Sequence, residues 1–201
     1  MLKSILITGV GGQGTLLASK ILSEAAEARG LFVRTSETIG MAQRGGSVAS
    51  HVRLDAKNAS PVIPARHADI LIGFELAEAA RQIPKLAPNA AGVVNTDRLV
   101  PTNVALRQGK YLADEYLAAL KTALPNGIFI SGAHLALEAG DARALNIVLL
   151  GAAVGAEMLP FTEEEIRAAI RNCVKPKLIE LNMRAFELGI AEVRRWRGGK
   201  G

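Results

Sequence analysis

The chain has 201 residues, including one cysteine, three histidines and 4% aromatic residues, and its net charge is +5. This length is enough for one domain with a full hydrophobic core, and a hydrophobic content of 49% argues against disorder. With Cys173 as its single cysteine, the chain alone has no intramolecular disulfide, four-thiolate iron–sulfur cluster or cysteine-rich zinc site.

The excess of basic residues is partly local, because four of them lie between Arg194 and Lys200. We interpret this run as a solvated tail rather than a nucleic-acid patch, and acidic partners, either a phosphorylated cofactor or an acidic protein, stay open. The longest apolar run, residues 147–156, is shorter than the roughly 18 residues that a membrane span needs. With no targeting segment in view, we expect a cytoplasmic chain with no membrane or nucleic-acid partner.

Strand and helix patterns alternate along the chain. Short apolar or alternating runs predict strands at residues 4–8, 31–35, 47–54, 69–74, 91–95 and 127–130. Helical periodicity predicts helices at residues 13–29, 76–83, 111–123, 134–139, 144–158, 162–171 and 176–195. The fold class that follows is α/β, with a Rossmann-like, mostly parallel sheet flanked by helices and with extra C-terminal helices. We expect one domain, residues 1–201, whose last helix, about residues 176–196, packs on the domain or reaches a partner.

The first strand leads into a glycine loop, residues 9–14, with the pattern G-x-G-x-x-G. Such a loop between a strand and a helix lets the backbone approach a ligand, and the helix N-terminus offers free N–H groups to a phosphate. A dinucleotide site also needs an acid at the end of the second strand, and Glu37 is the one candidate, although it comes late. The alternative is that these glycines only allow close packing of strand and helix.

A second glycine-rich loop, residues 40–46, follows the second strand. In a parallel sheet it lies at the same edge as the first loop, which is where open α/β sheets bind ligands. Its Arg44 offers five donors to a phosphate or carboxylate, unless it is merely solvated. The candidate binding residues of the two loops are Gly9, Gly11, Gly12, Gln13, Gly14, Arg44, Gly45 and Gly46.

Together the two loops resemble the gamma-type domain of the 2-oxoacid:ferredoxin oxidoreductases. The similarity continues in the Asn-led apolar segment at residues 146–152 and in the C-terminal segment at residues 182–189, so it covers about residues 4 to 190. Met-Ala-Gln before Arg44 is most similar to the branch of the family that acts on indolepyruvate and other aryl-pyruvates.

The resemblance implies a subunit of an enzyme that oxidatively decarboxylates a 2-oxoacid, forms an acyl-CoA and passes two electrons to ferredoxin. Such a complex uses thiamine diphosphate, Mg²⁺, [4Fe–4S] clusters and coenzyme A. This chain has one cysteine and no G-D-G motif with a distant Asn-Asn pair, the nearest approach being Gly140-Asp141-Ala142. The resemblance therefore implies that a larger partner subunit holds the thiamine diphosphate and the clusters, and that this chain alone holds no cofactor or metal and is inactive.

Two roles for the glycine loops follow from the resemblance: they hold coenzyme A or its pyrophosphate, or they pack against the partner subunit. The alternative to the whole assignment is a stand-alone Rossmann-type protein that binds NAD(P) or another nucleotide. The catalytic residues stay unassigned.

Other polar residues have structural interpretations. We expect Cys173 to be an inert thiol, His51 a residue of a sheet face, and Asn146 and Asn182 to bond to backbone groups. Thr162 and Glu165 have the spacing of a capping box at a helix start.

Overall fold

A computed structural model describes residues 3–39, 46–55, 57–98 and 111–198. The strands are β1 (Lys3–Val10), β2 (Val33–Ile39), β3 (Ser47–Leu54), β4 (Ala68–Gly73), β5 (Leu86–Asn95) and β6 (Ile128–Ile130). The helices are α1 (Thr15–Ala28), α2 (Leu76–Arg81), α3 (Ala113–Ala123), α4 (Ala133–Ala139), α5 (Leu145–Gly155), α6 (Glu163–Cys173) and α7 (Ile179–Gly198). Short 3₁₀ turns lie at Ile83–Lys85, Ala142–Ala144 and Pro176–Leu178.

The six strands form one sheet in the order β2-β3-β1-β4-β5-β6. β1, β4, β5 and β6 pair in parallel, whereas β3 is antiparallel to both of its neighbours, β1 and β2. Five strands therefore run in one direction, which confirms the predicted mostly parallel α/β sheet. The hairpin of β2 and β3 is the departure from a simple alternation, because β3 separates β2 from β1.

Each face of the sheet packs against its own layer of helices. One apolar core joins the side chains of alternate strand positions, such as Ile7 and Ile72, to α1 and α4–α7. The opposite core joins Leu6 and Leu71 to α2, α3 and Ile63. Burial on both faces explains why the parallel strands read as continuous apolar runs in the sequence.

Several helix and strand bounds differ from the predicted ones. The second strand begins at Val33 and continues to Ile39, beyond the predicted end at residue 35, because its ladder with β3 runs from the Val33–Leu54 pair to the Ile39–Val48 pair. This strand is rich in polar residues, so pairing rather than an apolar pattern sets its length. The capping box is confirmed, since the Thr162 side chain accepts from the Glu165 N–H and the Glu165 side chain accepts from the Thr162 N–H.

The C-terminal helix α7 packs on α5, and the crossing is close enough to need glycine. A Cβ atom added at Gly189 of α7 would lie 2.0 Å from the Val148 carbonyl oxygen of α5. In the reverse direction, a Cβ added at Gly151 of α5 would lie 2.2 Å from the Phe186 carbonyl oxygen of α7. The last helix therefore packs on the domain, and a contact with a partner stays a prediction. None of the helices in the described parts of the chain combines the length and apolarity needed to cross a membrane.

His51 is buried on β3, as expected for a residue of a sheet face, and its Nδ1 accepts from the Ile63 N–H at 3.2 Å. Burial, assisted by the charge of Lys85, lowers the pKa of His51 to about 4 from an ordinary 6.5. Above pH 6.5 both folded and unfolded chains hold a neutral imidazole, whereas between pH 6.5 and 4 only the unfolded chain is protonated. Stability is therefore lost as the pH falls through this window.

We expect the free energy of unfolding to fall by about 2 kcal/mol between pH 7 and pH 5, mostly because of His51. Urea unfolding at pH 7, 6 and 5 measures it, and H51Q should flatten the profile. The exposed His67 provides the control, because H67Q should keep the full dependence. Equal slopes for H51Q and the parent chain would contradict the assignment.

Candidate functional site

The glycine loop, residues 9–14, leads from the end of β1 to the start of α1, as predicted. Its own residues use several of its N–H groups. The Val10 N–H donates to Oε1 of Gln13 at 2.8 Å, and the Gln13 N–H donates to the Val10 carbonyl at 3.1 Å. The Gly11 N–H donates to the Gly46 carbonyl at 2.8 Å. Three donors of the loop are thus engaged within the protein and are not free for a ligand.

The first turn of α1 adds donors that are not engaged by the loop. Gly14 precedes this helix in a left-handed conformation, with φ of 81°, and provides no side-chain cap. Asn146 of α5 holds this position by donating from Nδ2 to the Gly14 carbonyl at 3.2 Å. Among the described residues, none accepts from the N–H groups of Thr15, Leu16 or Leu17. An anion at this sheet edge would meet these donors and the positive end of the α1 dipole.

The second loop is placed only at its end. Gly40, Arg44 and Gly45 lie outside the described residues, as do the residues between Gly40 and Arg44. Gly46 is described, and its bond to Gly11 places it at the same sheet edge as the glycine loop, which confirms the predicted neighbourhood for this residue.

Glu37 is not placed as the ribose-binding acid of a dinucleotide site. It lies inside β2, and its Oε1 accepts from the Ser19 hydroxyl of α1 at 2.8 Å. Because β3 stands between β2 and β1, the end of β2 is also one strand further from the glycine loop than in a dinucleotide fold. The position and the occupied carboxylate of Glu37 disfavour the NAD(P)-binding alternative.

The amide side chains of the half-buried Gln13 and the buried Asn95 connect the strand ends, a role that the sequence pattern did not indicate. The Phe74 carbonyl, just after β4, accepts from Nε2 of Gln13 at 3.5 Å and from Nδ2 of Asn95 at 3.2 Å. Oδ1 of Asn95 accepts from the Gly132 N–H, beyond β6, at 3.0 Å. Hydrogen bonds thus run across the edge from β1 to β6. A polar residue directly at the end of an apolar strand, such as Asn95, was the available signal.

Two buried carboxylates lie next to this network. Glu75 is fully buried and accepts from the N–H groups of Ala77 at 3.1 Å and Glu78 at 2.8 Å, and from the Tyr111 hydroxyl. Burial and the neighbouring Glu75 raise the pKa of Tyr111, so the phenol keeps its proton. Glu78 accepts from the Ser47 hydroxyl at 2.5 Å. These acids position α2, β3 and the start of α3 and have structural partners.

The arrangement at this edge favours binding over proton transfer. Its buried acids and amides are engaged by structural hydrogen bonds. Within the described ranges there is no group of three His, Cys, Asp or Glu placed to hold a metal ion. Cys173 is half-buried at the end of α6, and burial raises the pKa of its thiol, so it is not activated as a thiolate. Asn146 and Asn182 bond to backbone groups, as expected.

The fold and this edge define a Rossmann-like α/β protein whose glycine loop lacks the accompanying ribose acid. The chain matches the pyruvate ferredoxin/flavodoxin oxidoreductase family over residues 4–192, and it belongs to that family. The resemblance drawn from the two glycine loops is confirmed by this match.

Known proteins similar to this chain cover almost its whole length. It is 40% identical to the indolepyruvate oxidoreductase subunit IorB of Archaeoglobus fulgidus, over 92% of both chains. It is 36% identical to the subunit of the same name from Thermococcus kodakarensis, over 97% of this chain and 98% of the other. A similar solved structure is the gamma subunit of a keto/oxoacid ferredoxin oxidoreductase from Geobacter sulfurreducens, with a TM-score of 0.69 and 24% identity, covering 96% of this chain and 99% of that one.

Proposed function

We propose that the chain is the small subunit of an indolepyruvate:ferredoxin oxidoreductase, and that it acts only in complex with a larger subunit. The observation that carries the proposal is the 40% identity to an indolepyruvate oxidoreductase subunit over 92% of both chains. In the complete reaction a 2-oxoacid, coenzyme A and two oxidised ferredoxins give an acyl-CoA, CO₂, a proton and two reduced ferredoxins. The expected substrates are indolepyruvate and related aryl-pyruvates.

The redox and carbanion chemistry belongs to the larger subunit in this proposal. An iron–sulfur cluster does not fit the described residues, because the single cysteine is half-buried with a raised pKa and no group of metal ligands surrounds it. The sequence also has neither the G-D-G motif nor the Asn-Asn pair with which the resemblance associates a magnesium–thiamine diphosphate site. No step of the reaction is therefore assigned to a metal on this chain.

For this chain we propose a binding role toward coenzyme A. The N–H groups in the first turn of α1 support it, because none of them donates to a described residue outside the helix, whereas the N–H groups of Val10, Gly11 and Gln13 are engaged. Arg44, one residue before Gly45-Gly46, would add a cation suited to a phosphate. The residues proposed to face the ligand are Gly12, Thr15, Leu16 and Arg44.

The assembled complex tests this function. Co-expressed with its larger subunit, the chain should give an enzyme that reduces ferredoxin with indolepyruvate and coenzyme A, and more slowly with pyruvate. G12D adds a carboxylate beside the first turn of α1, and we expect it and R44A to raise the KM for coenzyme A about tenfold or more. Steady-state kinetics at saturating indolepyruvate measure the change.

Gly30 provides a matched control for Gly12. Both have positive φ, 102° for Gly12 and 70° for Gly30, and a Cβ at either position meets no described atom within 4 Å. G30D makes the same change beyond the opposite end of α1 and should leave the KM unchanged. If G12D instead prevented co-purification and left the KM of the remaining complex unchanged, the loop would be a subunit contact. Tight, stoichiometric binding of NAD(P) by the isolated chain would contradict the proposed function itself.

A further inference from the structure

A groove of about 530 Å³ opens beside the start of α1. Its walls come from α1, from the Ala142–Ala144 turn and the first residues of α5, and from the connection between α6 and α7. The groove is continuous with the glycine-loop edge, because Leu17 and Asn146 line it and Asn146 bonds to the Gly14 carbonyl.

The floor of the groove is apolar and its rim is basic. Leu17, Val174 and Leu181 supply apolar surface inside it. Lys175 and Lys177 on the rim are exposed, and neither forms an ion pair with any described residue. The remaining pair, Asp141 and Arg143, is internally neutral, since Asp141 accepts from Nε and Nη2 of Arg143. The rim therefore presents two lysines that have no ion-pair partner among the described residues.

Three leucine side chains in the groove or close to it in sequence are exposed. Leu178 lines the groove and is 38% exposed. Leu16 and Leu137, which lie close in sequence to the groove residues Leu17 and Asp141, are 61% and 63% exposed. An exposed leucine at an apolar groove, as Leu178 is here, favours a surface that a protein covers.

We infer that this groove docks an acidic segment of the larger subunit that places an apolar side chain on the leucine floor and carboxylates beside Lys175 and Lys177. The inference rests on the proposed function, since it takes the partner from there. Charge complementarity argues for the occupant: two unpaired lysines flank an apolar floor, and an acidic segment with an apolar residue matches both.

A protein segment fits the groove better than a small anion does. The amides that could orient a small ligand are engaged, because Nδ2 of Asn182 donates to the Leu178 carbonyl and Nδ2 of Asn146 to the Gly14 carbonyl. Both lysines that line the groove are exposed to solvent.

Charge reversal on the rim tests the docking. The affinity of the small subunit for the larger one is measured by biolayer interferometry at low and high salt, for the parent chain and for K175E/K177E. We expect the double variant to bind about tenfold or more weakly at low salt, and the difference to shrink at high salt. K57E/K121E makes the same change of charge at two exposed lysines outside the groove and should keep the affinity of the parent chain.

Cys173 provides a second readout that does not depend on charge, since it lines the groove and is the single cysteine of the chain. In the complex, its alkylation by N-ethylmaleimide, followed by the intact mass of the small subunit, should be at least fivefold slower than in the isolated chain. An unchanged alkylation rate, or equal affinities for K175E/K177E and K57E/K121E, would overturn the docking site.

Two further outcomes separate the possible failures. Inorganic pyrophosphate could slow the alkylation of Cys173 in the isolated parent chain but not in K175E/K177E. If, in addition, the parent chain and K175E/K177E bind the larger subunit equally well, the groove is an anion site and the docking inference is wrong. If the parent chain does not bind the larger subunit at all, the proposed function fails.

Discussion

Replacing Gly189 with alanine should destabilise the chain by about 3 kcal/mol. The added methyl group would lie 2.0 Å from the Val148 carbonyl oxygen and 2.9 Å from the Ala152 nitrogen. Both atoms belong to the backbone of α5 and cannot rotate away, so α7 has to move outward and lose its packing. Urea unfolding of G189A against the parent chain measures the loss.

A comparison with G30A separates packing from backbone conformation. Gly30 has φ of 70°, and no described atom lies within 4 Å of the position that an added methyl group would take. Alanine there suffers only the strain of the left-handed region, about 1 kcal/mol. Gly189 has ordinary helical geometry, so the loss of stability in G189A comes from steric contact and not from backbone strain. If G189A were no less stable than G30A, the conclusion that α5 and α7 cross too closely for a side chain at residue 189 would be wrong.

Replacing Glu75 with glutamine should cost about 2–3 kcal/mol of stability. The Ala77 N–H donates to one carboxylate oxygen and the Glu78 N–H to the other. An amide has only one oxygen, so its NH₂ group must face one of these N–H donors or the Tyr111 hydroxyl in a site closed to water. Chemical unfolding with tryptophan fluorescence or circular dichroism measures the change.

The exposed Glu138 of α4 serves as the control for this isosteric change. The free energy of unfolding of E138Q should be within about 0.5 kcal/mol of that of the parent chain, as is usual for surface substitutions. Y111F adds a further check, since it removes a single donor to Glu75 and should cost less than E75Q. Equal stability of E75Q and E138Q would show that Glu75 is not held as described.

Much of the fold could be predicted from local pattern. The predicted strand at residues 47–54 coincides with β3, and the capping box placed the start of α6, because alternation and capping are set by neighbours in the sequence. The insertion of β3 between β2 and β1 could not be read in the same way. It depends on pairing between Val10 and Ser47, which is a long-range choice rather than a local one.

The candidate site was predictable in place but not in chemistry. The glycine pattern located the edge, yet nothing in it indicated that the Gln13 side chain would accept from the Val10 N–H of its own loop. Burial of Glu75 was equally hidden, because a carboxylate is ordinarily exposed and becomes tolerable only when distant donors such as Tyr111 converge on it. Such convergence is a property of the folded chain.

The close crossing of α5 and α7 has a consequence for biosynthesis. Ten of the eleven residues of α5 are buried, and α7 is a principal cover of this helix. Because α7 follows α5 in the chain, the ribosome makes the most apolar helix before the helix that shields it. During that interval α5 presents a surface that chaperones bind and that other nascent chains can aggregate with. The yield of this subunit in a cell should therefore depend on how fast synthesis passes from residue 155 to the end of α7.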